Sequence, residues 1–405
     1  MTQFFRWLFS AFLAALAGLA RRFWLAWFGF LAWLMRRLSG QAPPTGAPHQ
    51  DPLEAAPTAT PDAPAPPEAA TAPPARPKAP RNRRKRPAAA SKAAPSLFDL
   101  PSDEPPNESA DEPRDESDGE PPDASGMRDG QYTCAFGKRR YKLFVPTPSA
   151  SDVPAPPRPL LVMLHGCKQS PADFATGTRM NALAQAAQCL VLYPAQTRWA
   201  NPYGCWNWFS TQHQLRGFGE PAILAGMVQA VLAEHAADAQ RVYAAGLSAG
   251  AAMAVNLAHA YPELFAAIGV HSGLAYGVAH DASGAMQAMK LGDQAPARIT
   301  LTVPMVVFQG SADAVVHPRN APALLAQAGW ADASVAQTQK GQVPNGHAYT
   351  CQHYGAAKMA AQYWEVNGLG HAWSGGDAAG SFTDPQGPDA SAEMLRFFLA
   401  QPARS

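Results

Sequence analysis

Hydrophobic patterning divides the chain into two textures. From about Gln131 onward, short apolar runs recur at 141–145, 160–164, 190–193, 242–245, 267–270, 305–308 and 363–366. Runs of four or five apolar residues suit strands buried on both faces, as in parallel sheets covered by helices. Between them lie longer stretches with helical character, such as 221–236 (PAILAGMVQAVLAEHA) and 249–260, long enough to serve as crossovers. The pattern predicts an α/β domain over residues 131–405, with a mostly parallel central sheet and helices on both faces.

The N-terminal third reads differently. Residues 8–20 and 23–35 are two apolar runs separated by Arg21 and Arg22 and closed by Arg36 and Arg37. Each run alone is shorter than the ~20 residues a membrane-spanning helix needs. Joined as one helix, the segment would place two arginines near mid-bilayer, at roughly 2.5–3.5 kcal/mol each. Trp7, Trp24, Trp27 and Trp33 favour an interface. Residues 1–40 are therefore expected to form an apolar helix that acts as a membrane or interface anchor or as a signal-like leader.

Composition sets the next boundary. Of the 40 prolines, 21 fall in residues 41–130, too dense for a continuous helix or a central strand. The overall charge of +1 conceals blocks of +5 (1–40), +4 (41–98), −10 (99–130) and +2 (131–405). A Pro/Ala-rich stretch, basic and then acidic, cannot bury enough apolar area to offset chain entropy, so 41–130 reads as a disordered linker. Its basic cluster RNRRKR at 81–86 has no recognition motif beside it and reads as a solvated spacer; nucleic acid is not an expected partner. The five cysteines, all between Cys134 and Cys351, include no C-x-x-C pair, so no metal site is indicated.

Candidate chemistry lies in the second texture. The apolar run at 242–245 leads into Gly246-Leu247-Ser248-Ala249-Gly250 and then into helix-forming sequence, which is a G-x-S-x-G elbow in its strand–turn–helix setting. Ser248 is the expected nucleophile, exposed at a helix N-terminus where orphan N–H groups stabilise a developing oxyanion. Asp313 closes VVFQGSAD just after a strand and is the expected orienting acid, with Asp332 as the fallback. Among His317, His347, His353 and His371, the last follows the strand at 363–366 and has the setting of the general base. His165-Gly166-Cys167 after the strand at 160–164 would supply a second oxyanion donor, the Cys167 N–H beside that of Ala249. Trp206, Trp208, His317 and Trp373 are candidate pocket residues, with Trp199 on the same loop as the first two.

These residues resemble the polyhydroxybutyrate depolymerase family of esterases, relatives of feruloyl and acetylxylan esterases in the α/β-hydrolase superfamily. The resemblance covers roughly 135–402 and rests on LLVMLHGCKQSPADFATGTRMNALA, LVLYPAQ with NPYGCWNWF, RVYAAGLSAGAAMA, FQGSADAVVHPRNA, GLGHAWSGG and FTDPQGPDASAEMLRFFL. It implies an α/β-hydrolase fold and carboxylic ester hydrolysis by Ser248, Asp313 and His371 with Cys167 at the oxyanion hole, and it implies no cofactor. The expected partner is an ester substrate, either a polyester oligomer or a small acyl ester, and residues 1–40 offer a membrane or granule surface a point of attachment. Polymer-degrading relatives usually carry a substrate-binding domain after the catalytic one. This chain closes at Ser405, so soluble esters are the expected substrates. Family members are often exported, which favours an extracellular or membrane-tethered location over an intracellular granule and permits disulfides; Cys167 with Cys205 is the preferred pair. Two rival readings are a prolyl-oligopeptidase-like serine peptidase and a surface-binding protein whose enzymatic role is secondary.

Overall fold

The computed structural model describes residues 126–148 and 156–404, apart from 236, 293–298, 300, 331–334 and 356–360. The apolar segment 1–40, the linker as far as residue 125 and the fallback Asp332 lie outside the described residues.

Each apolar run read from the sequence coincides with a strand, the first running one residue past its end: β2 (Gly137–Phe144), β3 (Leu160–Leu164), β4 (Leu190–Pro194), β5 (Val242–Leu247), β6 (Ala267–His271), β7 (Met305–Gly310) and β10 (Ala361–Val366). Three more polar segments, β1 (Met127–Cys134), β8 (Val335–Gln342) and β9 (Ala348–Tyr354), complete a ten-stranded sheet of order β1-β2-β4-β3-β5-β6-β7-β10-β9-β8 among the described residues. The middle six, β4-β3-β5-β6-β7-β10, are parallel. Both margins are antiparallel, with β1 and β2 on one side and β9 and β8 on the other.

Alternation along the central strands sends side chains into two separate cores. Leu160, Val162 and Leu164 of β3 join one cluster, while Leu161 and Met163 join the other. Met305 and Val307 of β7 face the first, and Val306 and Phe308 face the second. This is the period-two geometry of a strand covered on both faces. Helices α3 (Gly219–Glu234), α4 (Ala249–Ala260), α5 (Ala282–Leu291) and α6 (Asn320–Gln327) close the first core. The second core is closed by α1 (Pro171–Thr178), α2 (Met180–Ala187) and α7 (Ala390–Leu399). Almost every residue of α4 is buried, and its run of alanines lets it lie close against the sheet. Among the described residues no helix is long and apolar enough to cross a membrane.

The topology creates the place for chemistry. From β3 the chain crosses to β4 on one side, and β5 then inserts on the other side of β3. Connections diverge at this pair, which opens a crevice at the carboxyl ends of β3 and β5, the usual ligand position in open α/β sheets.

Candidate active site

The elbow after β5 is built by close approach. A Cβ on Gly246 would stand 2.6 Å from the Leu164 carbonyl oxygen, and one on Gly250 would collide with the carbonyl oxygens of both Leu164 and His165. Only glycine at these two positions lets the turn nest against the end of β3. Between them Ser248 takes φ 57° and ψ −119°, a costly conformation for a residue with a Cβ. Its N–H donates to the His271 carbonyl oxygen at 2.9 Å. Ser248 occupies the N-cap position of α4, where serine normally accepts a bond from the first turn, yet its side chain makes no capping bond. The hydroxyl is thereby left for other work.

Asp313 lies in the loop after β7, with its side chain fully buried. Its Oδ1 accepts from the Val315 and Val316 amides at 2.9 Å each. Its Oδ2 accepts from Gln309 Nε2 at 3.2 Å and from His371 Nδ1 at 2.8 Å. Burial alone would raise this carboxyl, but the hydrogen bond and charge of His371 and the two amides hold it below the usual carboxylate range. A carboxylate accepting at Nδ1 fixes the proton there, so Nε2 of His371 is the basic nitrogen.

The loop carrying His371 is laced across the sheet edge. Ser311 N–H donates to the Val366 carbonyl oxygen at 2.9 Å, and Ala312 N–H to that of Leu369 at 3.0 Å. Gly368 N–H donates to Ser311 Oγ at 2.9 Å. Farther along, Ser374 N–H donates to His271 Nε2 at the end of β6. The segment therefore runs from β10 over β7 to β6, next to the elbow of β5, and His371 lies on that path. Among the described residues no hydrogen bond joins Ser248 Oγ to His371.

The loop after β3 is equally tied down. Gly166 N–H donates to Gln169 Oε1 at 2.9 Å, and Lys168 N–H donates to the Tyr203 carbonyl oxygen at 2.8 Å. Cys167 is bonded to Cys205, as preferred from the sequence. Among the described residues no acceptor takes the Cys167 N–H, and Ala249, first in α4, has no intrahelical acceptor by position. His165 below them is fully buried. It accepts from Gln196 N–H at Nε2 (3.1 Å) and donates from Nδ1 to the Gly166 carbonyl oxygen (2.8 Å). Burial pushes its pKa down to about 4, which keeps the ring neutral.

A strained serine, an aspartate–histidine pair and, among the described residues, two amides without a backbone acceptor lie at the carboxyl edge of the sheet, a set of groups capable of acyl-transfer chemistry. The family model described as Esterase PHB depolymerase matches residues 140–343. The chain belongs to the esterase PHB depolymerase family. This is a family of carboxylic ester hydrolases, and curated relatives that match the chain include a depolymerase and feruloyl esterases. Poly(3-hydroxyalkanoate) depolymerase C of Paucimonas lemoignei is 37% identical over 157 residues, 38% of this chain and 37% of that protein. The matched part thus spans little more than a third of the depolymerase. Feruloyl esterase B of Thermothelomyces thermophilus is 30% identical over 233 residues, 53% of this chain and 78% of that protein. The solved acetyl xylan esterase from Aspergillus awamori superposes with a TM-score of 0.53 at 20% identity, covering 67% of this chain and 99% of its own, which shows the α/β-hydrolase fold.

Within this esterase-family domain the four pocket candidates have different surroundings. Trp206 has no exposed surface: its Nε1–H donates to the His165 carbonyl oxygen at 3.1 Å, and its ring lies beside the His165 ring. Trp373 is also buried, packed edge-on against Phe174 and bonded through Nε1–H to Ser391 Oγ. Both rings are buried and present almost no exposed surface in this structure, and their N–H groups are satisfied in the core. Trp208 is 4% exposed and meets Phe209 edge to face. His317 Nδ1 accepts from Arg319 N–H at 3.2 Å. The exposed tryptophan of this loop is Trp199, at 97%.

Sequence reasoning passed over the groups that support the site. Glu220, fully buried at the start of α3, accepts from Gln196 Nε2 and from both the N–H and Nδ2 of Asn207, with Arg139 3.6 Å away. It pins the loop that carries Cys205. A buried acid with several donors leaves no trace in hydrophobic periodicity. Gln309 and His271 do carry a signal: His271 closes the otherwise apolar β6, and Gln309 is the one polar side chain of β7, next to its last residue.

Proposed function

We propose that the domain hydrolyses carboxylic esters through Ser248, His371 and Asp313 and a covalent acyl-enzyme, acting on polyhydroxyalkanoate oligomers or related short-chain or aromatic acyl esters. The observation that carries this reading is the 2.8 Å His371–Asp313 bond, made by a buried carboxylate at the sheet edge that also bears the uncapped, strained Ser248. With substrate bound, a Ser248–His371 hydrogen bond forms, since catalytic hydrogen bonds that are long or absent in the free enzyme tighten in the Michaelis complex. His371 Nε2 takes the Ser248 proton as Oγ attacks the acyl carbon, and the amides of Cys167 and Ala249 receive the oxyanion. Each such donor is worth about 3–4 kcal/mol in the transition state. The alcohol leaves with the proton from His371. Water then attacks the acyl-enzyme with His371 again as base, releasing the acid and restoring Ser248.

The test compares wild type with Ser248→Ala on p-nitrophenyl butyrate. Loss of turnover in the variant is expected, and equal rates would sink the triad reading. Profiling acetyl, butyryl, feruloyl and hydroxybutyrate-oligomer esters then ranks the acyl groups. Residues 1–40 are proposed as a surface anchor on the proline-rich stretch that precedes β1, motivated by their arginine-flanked apolar runs and four tryptophans. If removing residues 1–40 leaves the partition between membrane and soluble fractions unchanged, that assignment falls.

A further inference from the structure

Resting on the triad reading, we propose that His271 is a positioning residue that fastens the nucleophile elbow and the loop of the catalytic base to one point at the end of β6. Three attachments converge on it. Its carbonyl oxygen accepts the Ser248 N–H at 2.9 Å, which holds the strained turn. Its Nε2 accepts the N–H of Ser374, three residues beyond His371, at 3.0 Å. Its Nδ1 lies 3.2 Å from Ser272 Oγ. Because Nε2 accepts, the ring proton sits on Nδ1 and is donated to Ser272.

The ring is held as firmly as its nitrogens. His271 has no exposed surface and is stacked between Phe308 of β7, at 5.7 Å and 15°, and Trp373, at 5.0 Å and 26°. Phe308 belongs to the strand that leads to Asp313, and Trp373 to the His371 loop. The histidine thus touches the supports of all three triad members while touching none of their reacting atoms. Burial, and after it the neighbouring charge of His371, pushes its pKa down to about 3, so the imidazole keeps its acceptor nitrogen at any working pH. Ser374 is fixed from its other side as well, through Oγ–H to the Pro388 carbonyl oxygen at 2.7 Å. The link from β6 therefore ends on a rigid residue rather than on a swinging loop.

An ordinary core histidine would stabilise the fold and leave the chemistry alone, so the experiment separates stability from positioning. His271→Phe retains the aromatic stack and removes the acceptor for Ser374. His271→Gln gives up part of the stack and can present Oε1 where Nε2 stood. In the full chain, kcat and KM for p-nitrophenyl butyrate, the rate of Ser248 labelling by a fluorophosphonate and the thermal midpoint are measured for both. Misplacement by an ångström costs up to about 100-fold, so kcat and labelling rate should fall about 10- to 100-fold in His271→Phe with KM within about 3-fold. His271→Gln should recover most of that loss even where its thermal midpoint is the lower of the two. A His271→Phe variant with wild-type kcat, or a His271→Gln variant as slow as His271→Phe, overturns the proposal. Should His271→Phe not fold, His271→Asn replaces it, since its shorter amide stops short of Ser374; Gln faster than Asn supports the link and equal rates refute it. Ser248→Ala runs alongside: activity in that variant would indict the triad reading, whereas its silence together with an active His271→Phe indicts only His271.

Discussion

The centre and the margins of the sheet are built on different physical terms. In the centre, β3, β4, β5, β6 and β7 are buried along their whole length, and each feeds a helix or loop at the crevice. At the margin, seven of the eight residues of β8 are exposed, and β1 alternates between buried or half-buried and open positions. A strand covered on both faces has its register fixed twice, so the loops leaving it are fixed too. A strand facing water on one or both sides is held by its ladder and a few side chains. The proposed chemistry sits where the backbone is over-determined: Ser248 at φ 57° and Ser272 at φ 51° follow the ends of neighbouring central strands. The strain a nucleophile elbow needs is affordable only there.

The largest effect expected from this contrast is at Asp313. Asp313→Asn keeps the shape of the centre but favours the wrong histidine tautomer, so kcat should fall by about 10⁴-fold, as loss of a triad carboxylate does. The fold should survive, and near-ultraviolet circular dichroism checks that. An Asn variant within 10-fold of wild type would mean that the buried pair orients structure rather than catalysis.

That centre was also the part legible in the sequence, for the same reason. Double burial demands unbroken apolar runs, and the five such runs at 160–164, 190–193, 242–245, 267–270 and 305–308 all lie in strands. Gly246, Ser248 and Gly250 could be read because only glycine tolerates the approach of Leu164 and His165. The margins were illegible because VAQTQKGQ of β8 has no apolar face to betray a strand. The burial of Trp206 and Trp373 could not be read, because an aromatic near a loop looks alike from either side of that loop and its core contacts exist only in three dimensions. The polar braces Glu220, Gln309 and His271 depend on contacts between distant segments, which periodicity does not record.

A second, intermediate effect follows from titration. His165 and His271 are both buried and neutral, with pKa values pushed by burial down to about 4 and about 3. Unfolded, each would titrate near the ordinary histidine value of about 6.5. Below that pH the unfolded chain binds protons that the folded chain refuses, so stability falls as pH falls, by up to about 1.4 kcal/mol per pH unit for each ring until the folded value is reached. Their contribution is complete above about pH 6.5 and erodes toward pH 4. Asp313, held low, has the same sign but acts only below the carboxylate range. Urea unfolding at pH 7, 6 and 5 should show a progressive loss, and His271→Gln should have a shallower slope. A stability that is level from pH 7 to 5 would show that these rings take up protons without unfolding the centre.

The smallest effect belongs to the margin and tests the contrast from its other end. Thr338 lies mid-strand in β8, exposed and paired with Gln352 of β9, which stands between it and the central strands. Thr338→Val exchanges one β-branched residue for another, leaves the ladder intact and removes a hydroxyl from water rather than from a core. Such surface exchanges stay within about 0.5 kcal/mol. Unfolding free energy and kcat on p-nitrophenyl butyrate should therefore both match wild type within error. If instead kcat moved by more than about 3-fold at unchanged stability, the hairpin of β8 and β9 would be reaching the crevice through its bond from Asn367 N–H to the Ala348 carbonyl oxygen, next to the His371 loop. The division between a catalytic centre and an inert margin would then have to be redrawn to place β9 inside it.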